Sequence, residues 1–266
     1  METTVKLGKH RVRPPAICAA VMAEGIDVME ARVNSAIEQG ADVIELRLDG
    51  LRELEGWQGL LRDDVPMIVT NRAEREGGHF KGGERERIGP LVEAIELGAA
   101  CVDIELSTPR QELEEVLRAA REGETSVLLS YHNFDGVPAR GDLFERAKRM
   151  ERVGCDIAKL ACFAKRPEEA IEMLNFLVRA RDALGVPVIA FAMGEAGKFT
   201  RILAPLLGSP LMYAEVGKAT APGQLSLVEM RRLMDALEGT ERVEEIVDLA
   251  PEDRRLQKLL RLSPPS

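Results

Sequence analysis

The sequence predicts an α/β chain closed into a (β/α)8 TIM barrel, on three observations. Short apolar runs alternate with longer segments of helical period, there are eight such pairs, and the first run leads into Met22-Ala23-Glu24-Gly25 instead of a glycine-rich phosphate loop. Strands alternating with helices imply a parallel sheet with right-handed crossovers. Eight units in roughly 225 residues suit a closed barrel. The alternative, an open doubly wound sheet, usually advertises Gly-x-Gly-x-x-Gly or a Walker loop after its first strand.

A short hairpin comes first, from residues 4–7 and 11–13 around Gly8-Lys9-His10, ended by Pro14-Pro15. The apolar runs read as strands at residues 16–21, 42–48, 67–70, 101–106, 126–131, 156–161, 187–192 and 211–215. Helices are expected over 26–39, 51–62, 85–97, 109–122, 143–153, 167–184, 198–207 and 224–237. Ile171, Leu174, Leu177 and Val178 follow a three-to-four spacing. Pro109 and Pro167 stand where a first helical turn tolerates proline. Gly40, Gly123, Gly154 and Gly185 fall just past helix ends. Residues 1–238 are therefore read as a catalytic barrel domain. Residues 239–266 are highly charged and carry a leucine stripe (Leu249, Leu256, Leu259, Leu260, Leu262), and they are read as an appended C-terminal helical extension.

The 266 residues carry a formal net charge of −9. That balance argues against nucleic acid or an anionic membrane as a partner. Cys18, Cys101, Cys155 and Cys162 sit in or beside apolar runs and form no Cys-x-x-Cys pair, so they read as small core residues of a reducing compartment. The N-terminus has no apolar signal region, and no apolar run is long enough to cross a bilayer. A cytoplasmic protein acting on a small molecule is expected.

In a barrel, residues at the C-terminal ends of strands converge on one mouth. Here those ends are polar. The second run ends with Glu45 and Arg47, and the third leads to Arg72 and Glu76. The fourth contains Asp103 and Glu105, the fifth gives Ser130-Tyr131-His132, and the sixth gives Lys159. The seventh ends at Phe191 and Met193 with Arg201 beyond, and the eighth passes Tyr213 towards Thr220 and Gln224. One charged strand end is ordinary; six make a site. Alternation leaves Asp103 and Glu105 open as metal ligands, but no histidine pair or second carboxylate cluster lies near in sequence, and no metal is expected. Burial and neighbouring cations, here Arg47 and Arg72, favour the neutral form of Lys159, which is a nucleophile. A lysine nucleophile with a histidine on the adjacent strand end suggests Schiff-base chemistry on a carbonyl, with the histidine moving protons. Spacing alone leaves both β-elimination of water and aldol cleavage open.

Six segments together resemble the type I 3-dehydroquinate dehydratase family. They are residues 42–49 (Asp-Val-Ile-Glu-Leu-Arg-Leu-Asp), 70–78 (Thr-Asn-Arg-Ala-Glu-Arg-Glu-Gly-Gly), 130–134 (Ser-Tyr-His-Asn-Phe), 156–161 (Asp-Ile-Ala-Lys-Leu-Ala), 193–201, and 221–224 (Ala-Pro-Gly-Gln). The resemblance spans roughly residues 16–238. It implies that Lys159 forms an iminium with the C3 ketone of 3-dehydroquinate, and that His132 moves the C2 proton to the departing C1 hydroxyl. It implies that Glu76 orients His132 and that Arg201 binds the substrate carboxylate, with Thr220 and Gln224 closing over it. Glu45, Arg47 and Arg72 would hold ring hydroxyls; Met193 and Tyr213, with Phe191, would line the pocket. No cofactor is implied, and a homodimer is compatible with it. Tyr213 and Phe191 depart from the residues frequent in bacterial members. A class I Schiff-base aldolase or transaldolase acting on a sugar phosphate is the rival enzyme. A barrel acting only as a binding protein is the rival of another class.

Overall fold

The computed structural model describes residues 4–217 and 220–238. Strands β1 (Val5–Leu7) and β2 (His10–Val12) form the expected antiparallel hairpin. Leu7 is fully buried, and the Gly8 amide donates to the Ser126 hydroxyl at 3.0 Å. Ser126 is the first residue of a barrel strand, so the hairpin sits against the N-terminal ends of the strands, opposite the mouth.

Eight parallel strands follow: β3 (Ala16–Val21), β4 (Val43–Arg47), β5 (Met67–Thr70), β6 (Cys101–Glu105), β7 (Ser126–Asn133), β8 (Ile157–Phe163), β9 (Val188–Met193) and β10 (Leu211–Glu215). Each of β3 to β8 pairs with the next in sequence, and β10 pairs with β3, Leu211 opposite Ala16. A short ninth strand, β11 (Leu225–Ser226), adds to β10. The curled sheet brings β9 and β10 together at its seam, where the Phe191 and Tyr213 rings stand 6.3 Å apart. β3, β4, β5 and β6 are buried along their whole length, which is why their sequences read as unbroken runs with polar residues only where the lumen accepts them. Two aspartates lock the strand starts: Asp42 accepts the Ile17 amide at 2.8 Å and Asp156 the Val127 amide at 2.7 Å.

The helices are α1 (Ile26–Glu38), α2 (Glu84–Glu96), α3 (Arg110–Glu122), α4 (Arg140–Val153), α5 (Pro167–Ala183), α6 (Thr200–Leu206) and α7 (Leu227–Glu238). Pro167 begins α5, and Gly154 ends α4 in the left-handed conformation at φ 96°. The expected helix over residues 51–62 does not form. The stretch instead holds a single 3-10 turn, Trp57–Leu60, entered through Gly56 at φ 83°. Its apolar spacing imitates a helix, but Gly56 and Gly59 each cost about 1 kcal/mol against alanine in a helix interior. Trp57 and Leu60 are buried without one, and the Trp57 indole donates to Glu93 at 3.2 Å.

The chain divides into two compact units, Met1–Met230 and Arg231–Ser266. The first contains all of the described strands. The expected helical extension over 239–266 lies outside the described residues. No described helix is long and apolar enough to cross a membrane.

Candidate active site

The mouth residues share a face by alternation. Glu45 and Arg47 on β4, Asp103 and Glu105 on β6, Lys159 on β8, Phe191 and Met193 on β9 and Tyr213 on β10 have one parity; Ser130 stands opposite Lys159 in the β7–β8 register and His132 two residues further on. One pocket is lined by Lys159, His132, Glu76, Glu45, Arg47 and Arg72, and on its other side by Arg201, Met193, Tyr213, Phe191, Thr220 and Gln224. The pocket thus gathers every residue to which the resemblance gives a role, while Asp103, Glu105, Ser130 and Tyr131, also named at the strand ends, are not part of its lining.

Lys159 is 4% exposed. Its Nζ lies 3.2 Å from Asp103 Oδ2 and 3.7 Å from Glu45 Oε1, and 3.9 Å from the centre of the Tyr213 ring. The groups closest to the amine are therefore carboxylates and an aromatic face. Of the two arginines expected to bring positive charge to it, Arg72 shares Asp103 Oδ2 with the amine, whereas Arg47 is paired away from it. Arg47 is bidentate on Asp49 at 2.9 and 2.8 Å. Arg72 reaches Asp103 at 2.6 Å, Glu105 at 3.1 Å and the Ser130 hydroxyl at 2.6 Å. Glu105 is held in turn by the fully buried Arg87 at 2.5 Å. Asp103 and Glu105, open as metal ligands on alternation alone, are thus bound into a buried ionic chain. Burial pushes the Asp103 carboxyl up, but the charges of Arg72 and Lys159 outweigh it and hold the carboxyl well below the usual range. Removing one partner of such a buried pair costs about 3–5 kcal/mol.

His132 is placed by Glu76. The Glu76 Oε2 accepts both the His132 backbone amide, at 2.9 Å, and ring Nδ1, at 3.1 Å. Ser107 donates to Oε1 at 2.6 Å. Burial pushes the Glu76 carboxyl up, yet the hydrogen bond and charge of His132, with Arg72 and Ser107, leave it below its ordinary value. An ionised carboxylate only accepts, so Nδ1 carries the proton and Nε2 keeps its lone pair. Burial and the positive charge of Arg72 depress the His132 imidazolium, and the hydrogen bond to Glu76 only partly offsets them. The ring is therefore neutral at neutral pH and able to take a proton. The turn that carries Glu76 is pressed against the end of β5: a Cβ on Gly78 would stand 2.0 Å from the Arg72 carbonyl oxygen.

A pH prediction follows from these charges. Glu76→Gln removes the negative charge that raises His132, so its imidazolium is depressed further. The acidic limb of kcat/KM then moves to lower pH, by about one unit. A pH–rate profile checks it, and an unmoved limb would show that Glu76 does not tune this ring.

Arg201, on α6, is 3% exposed and stacks over Phe191, with its guanidinium carbon 4.5 Å from the ring centre. Its Nη2 donates to the Pro222 carbonyl at 3.1 Å, and its Nε has no partner. No carboxylate lies within ion-pair distance of it among the described residues, and burial alone lowers it to about 10. A buried cation with a free donor is a ready receptor for an anion. Gln224 Oε1 accepts from the Thr220 amide at 2.7 Å, the Thr220 hydroxyl at 3.0 Å and the Ala221 amide at 3.1 Å, which ties the loop over the pocket into a closed turn.

Ser130, Ser107, Asp49, Arg87 and Phe134 were not assigned roles from sequence. Phe134 lines the pocket and lies on Gly77. Ser130 carried a readable signal, since its parity matches that of His132.

A family model described as type I 3-dehydroquinase matches residues 17–241. The 3-dehydroquinate dehydratase of Methanothermobacter thermautotrophicus is 37% identical over 225 residues, covering 83% of this chain and 96% of its own. That of Methanopyrus kandleri is 36% identical over 226 residues, covering 83% and 99%. Among solved structures, the 3-dehydroquinate dehydratase of Geobacillus kaustophilus superposes with a TM-score of 0.81 at 28% identity, over 89% of this chain and 96% of that one.

Proposed function

The chain belongs to the type I 3-dehydroquinase family, and we propose that it removes water from 3-dehydroquinate through an iminium on Lys159. The family places it among hydro-lyases of the shikimate pathway. The observation that carries the reading is one pocket holding a buried lysine, a neutral histidine fixed by an ionised Glu76, and a buried arginine with no carboxylate partner among the described residues.

The chemistry runs as follows. His132 takes a proton from the Lys159 ammonium, and the amine attacks C3; the Nζ–C3 bond forms, and the ketone oxygen leaves as water with one N–H proton and the proton returned by His132, giving the iminium. His132 Nε2 takes a proton from C2, and the electron pair of that C–H bond flows into the C3–nitrogen system as an enamine. The pair returns to expel the C1 hydroxyl, which leaves as water with the proton from His132. Water hydrolyses the product iminium, releasing 3-dehydroshikimate and the free lysine. Arg201 holds the substrate carboxylate, with Thr220 and Gln224 closing over it. Glu45, Arg47 and Arg72 meet the ring hydroxyls, and Met193 and Tyr213 form the wall. No cofactor enters this scheme. That no carboxylate among the described residues pairs with Arg201 supports its role, because the substrate brings the missing anion. We retain residues 1–238 as the catalytic region, and a cytoplasmic homodimer as the assembly to be checked by light scattering.

The experiment is borohydride trapping. The protein is incubated with 3-dehydroquinate, reduced and digested, and the adduct is located by mass spectrometry. A stable adduct on the Lys159 peptide, with absorbance from 3-dehydroshikimate in an unreduced sample, is the expected result. An adduct on Lys198 or Lys218 would move the site. Activity on sugar phosphates with none on 3-dehydroquinate would favour an aldolase.

The anion site has its own test. Arg201→Ala removes a charge-assisted contact, and such contacts contribute about 1.5–3 kcal/mol. KM for 3-dehydroquinate should rise by roughly 10- to 150-fold. An unchanged KM would take Arg201 out of the carboxylate site.

A further inference from the structure

We propose that Asp103 is the fixed counter-ion of the reaction: it stays negative throughout, accepts the N–H of the lysine-derived nitrogen, and keeps the iminium protonated. The inference rests on the Lys159 iminium proposed above. Nothing in the motif segments singles Asp103 out; its position does.

Three contacts define it. Oδ2 stands 3.2 Å from Lys159 Nζ and 2.6 Å from Arg72 Nη2, and Oδ1 accepts from the Ser130 hydroxyl at 2.6 Å. The side chain is completely shielded from solvent. Ser130 is opposite Lys159 in the β7–β8 register, so its hydroxyl spans from the lysine's neighbouring strand to β6 and pins the carboxylate from the side. The second carboxylate near the amine, Glu45, is farther away at 3.7 Å and accepts the Thr70 hydroxyl at 2.9 Å.

The charge at this point changes form during the cycle without changing place. An ammonium at Nζ has three N–H groups; the iminium formed with a ketone keeps one N–H and the positive charge. A carboxylate fixed against that nitrogen in a site shielded from water favours the protonated form over the neutral imine. The distinction matters because a neutral imine is a weak electron sink and would not draw the pair of the C2–H bond. Asp103 itself takes no proton. Its acceptor positions face Arg72, Ser130 and the nitrogen, which leaves proton transfer to His132. The other ionisable groups around the nitrogen are Glu45 on β4, Arg72 beyond β5, His132 on β7 and Tyr213 on β10; Cys18 on β3 and Cys101 on β6 feel the same charges.

A carboxylate serving only to neutralise Arg72 would matter for stability and not for the protonation of the iminium. The two roles separate in a pH profile. In Asp103→Asn the side chain keeps its size and loses its charge, so the alkaline limb of kcat should move down by about one to three pH units. At a pH above that limb, kcat falls at least about tenfold relative to wild type, and by less near pH 6. Cyanoborohydride reduces the protonated iminium in preference to the neutral imine. Its yield of Lys159 adduct with 3-dehydroquinate should therefore fall at pH 8.5 in the variant and recover at pH 6. Circular dichroism establishes that the variant is folded. A folded Asp103→Asn protein with the wild-type alkaline limb and undiminished trapping overturns the proposal. If that variant does not fold, Ser130→Ala decides: it keeps the charge but frees one oxygen, and should move the limb in the same direction by a smaller amount, whereas an unmoved limb overturns the proposal. Absence of any adduct in the wild-type protein is a different failure, and removes the iminium reading itself.

Discussion

Lys159→Met abolishes turnover of 3-dehydroquinate, with kcat reduced by about 10⁴ to 10⁶, the range that follows removal of a covalent nucleophile. Methionine is close to lysine in length and apolar, so the barrel keeps its volume while losing the amine. The loss is larger than that of any binding residue because the electron sink itself disappears: without the C–N bond, the C2 proton is only that of a ketone. The substitution also removes the cation that Asp103 and Glu45 share, leaving Asp103 paired with Arg72. Substrate affinity is therefore expected to change as well, and binding measured by calorimetry separates that effect from the chemistry. Steady-state assay by 3-dehydroshikimate absorbance and loss of the borohydride adduct check the main claim. Retention of more than a hundredth of wild-type kcat would mean that Lys159 is not the nucleophile.

His132→Ala should lower kcat by roughly 10² to 10⁴, as loss of a general base does. The effect is smaller than that of Lys159 because the iminium still acidifies C2 and solvent can accept the proton slowly. The two variants differ in what they accumulate. In His132→Ala the Lys159 adduct remains trappable, whereas in Lys159→Met it does not. The acidic limb of the wild-type profile lies below the ordinary histidine value, because burial and Arg72 depress the imidazolium, and it should vanish in His132→Ala. The same ring carries a stability consequence. Its folded-state value is below that of the unfolded chain, so the unfolded state binds the extra proton; stability falls as pH drops through about 6.5, the unfolded value, towards the folded one. A loss of activity below tenfold would remove His132 from the mechanism.

Legibility varied along the chain. Strands β3, β5 and β10 have the bounds their apolar runs suggested, since strands covered on both faces betray themselves by continuous hydrophobicity. Residues 51–62 misled because helical spacing was present without helical backbone: two glycines outweighed the pattern, and Trp57 found burial in a 3-10 turn. At the mouth, chain order was enough to put Lys159 and His132 at the ends of neighbouring strands, and the β7–β8 register set them on one face. Chain order was not enough to say which charges would face the amine. Arg47 and Arg72 were expected there; Arg47 turned to Asp49 two residues on, while Arg72 reaches the amine only through Asp103, whose Oδ2 the two cations share. Arg87 gave no signal, because it lies on α2 and only the fold brings it against Glu105, Thr108 and the Asn71 carbonyl.

By itself the sequence determined the order of the strands, which side chains point into the barrel, and the kinds of group gathered at its mouth. These follow from a two-residue period and from chain order, both local properties. Only the tertiary structure decided the pairings. An ion pair depends on separations of an ångström or less, and those come from the twist and stagger of the curled sheet, which no short stretch encodes. The same closure removes water, and so decides that His132 is neutral, that Arg201 has no counter-charge among the described residues, and that a carboxylate stands against Lys159.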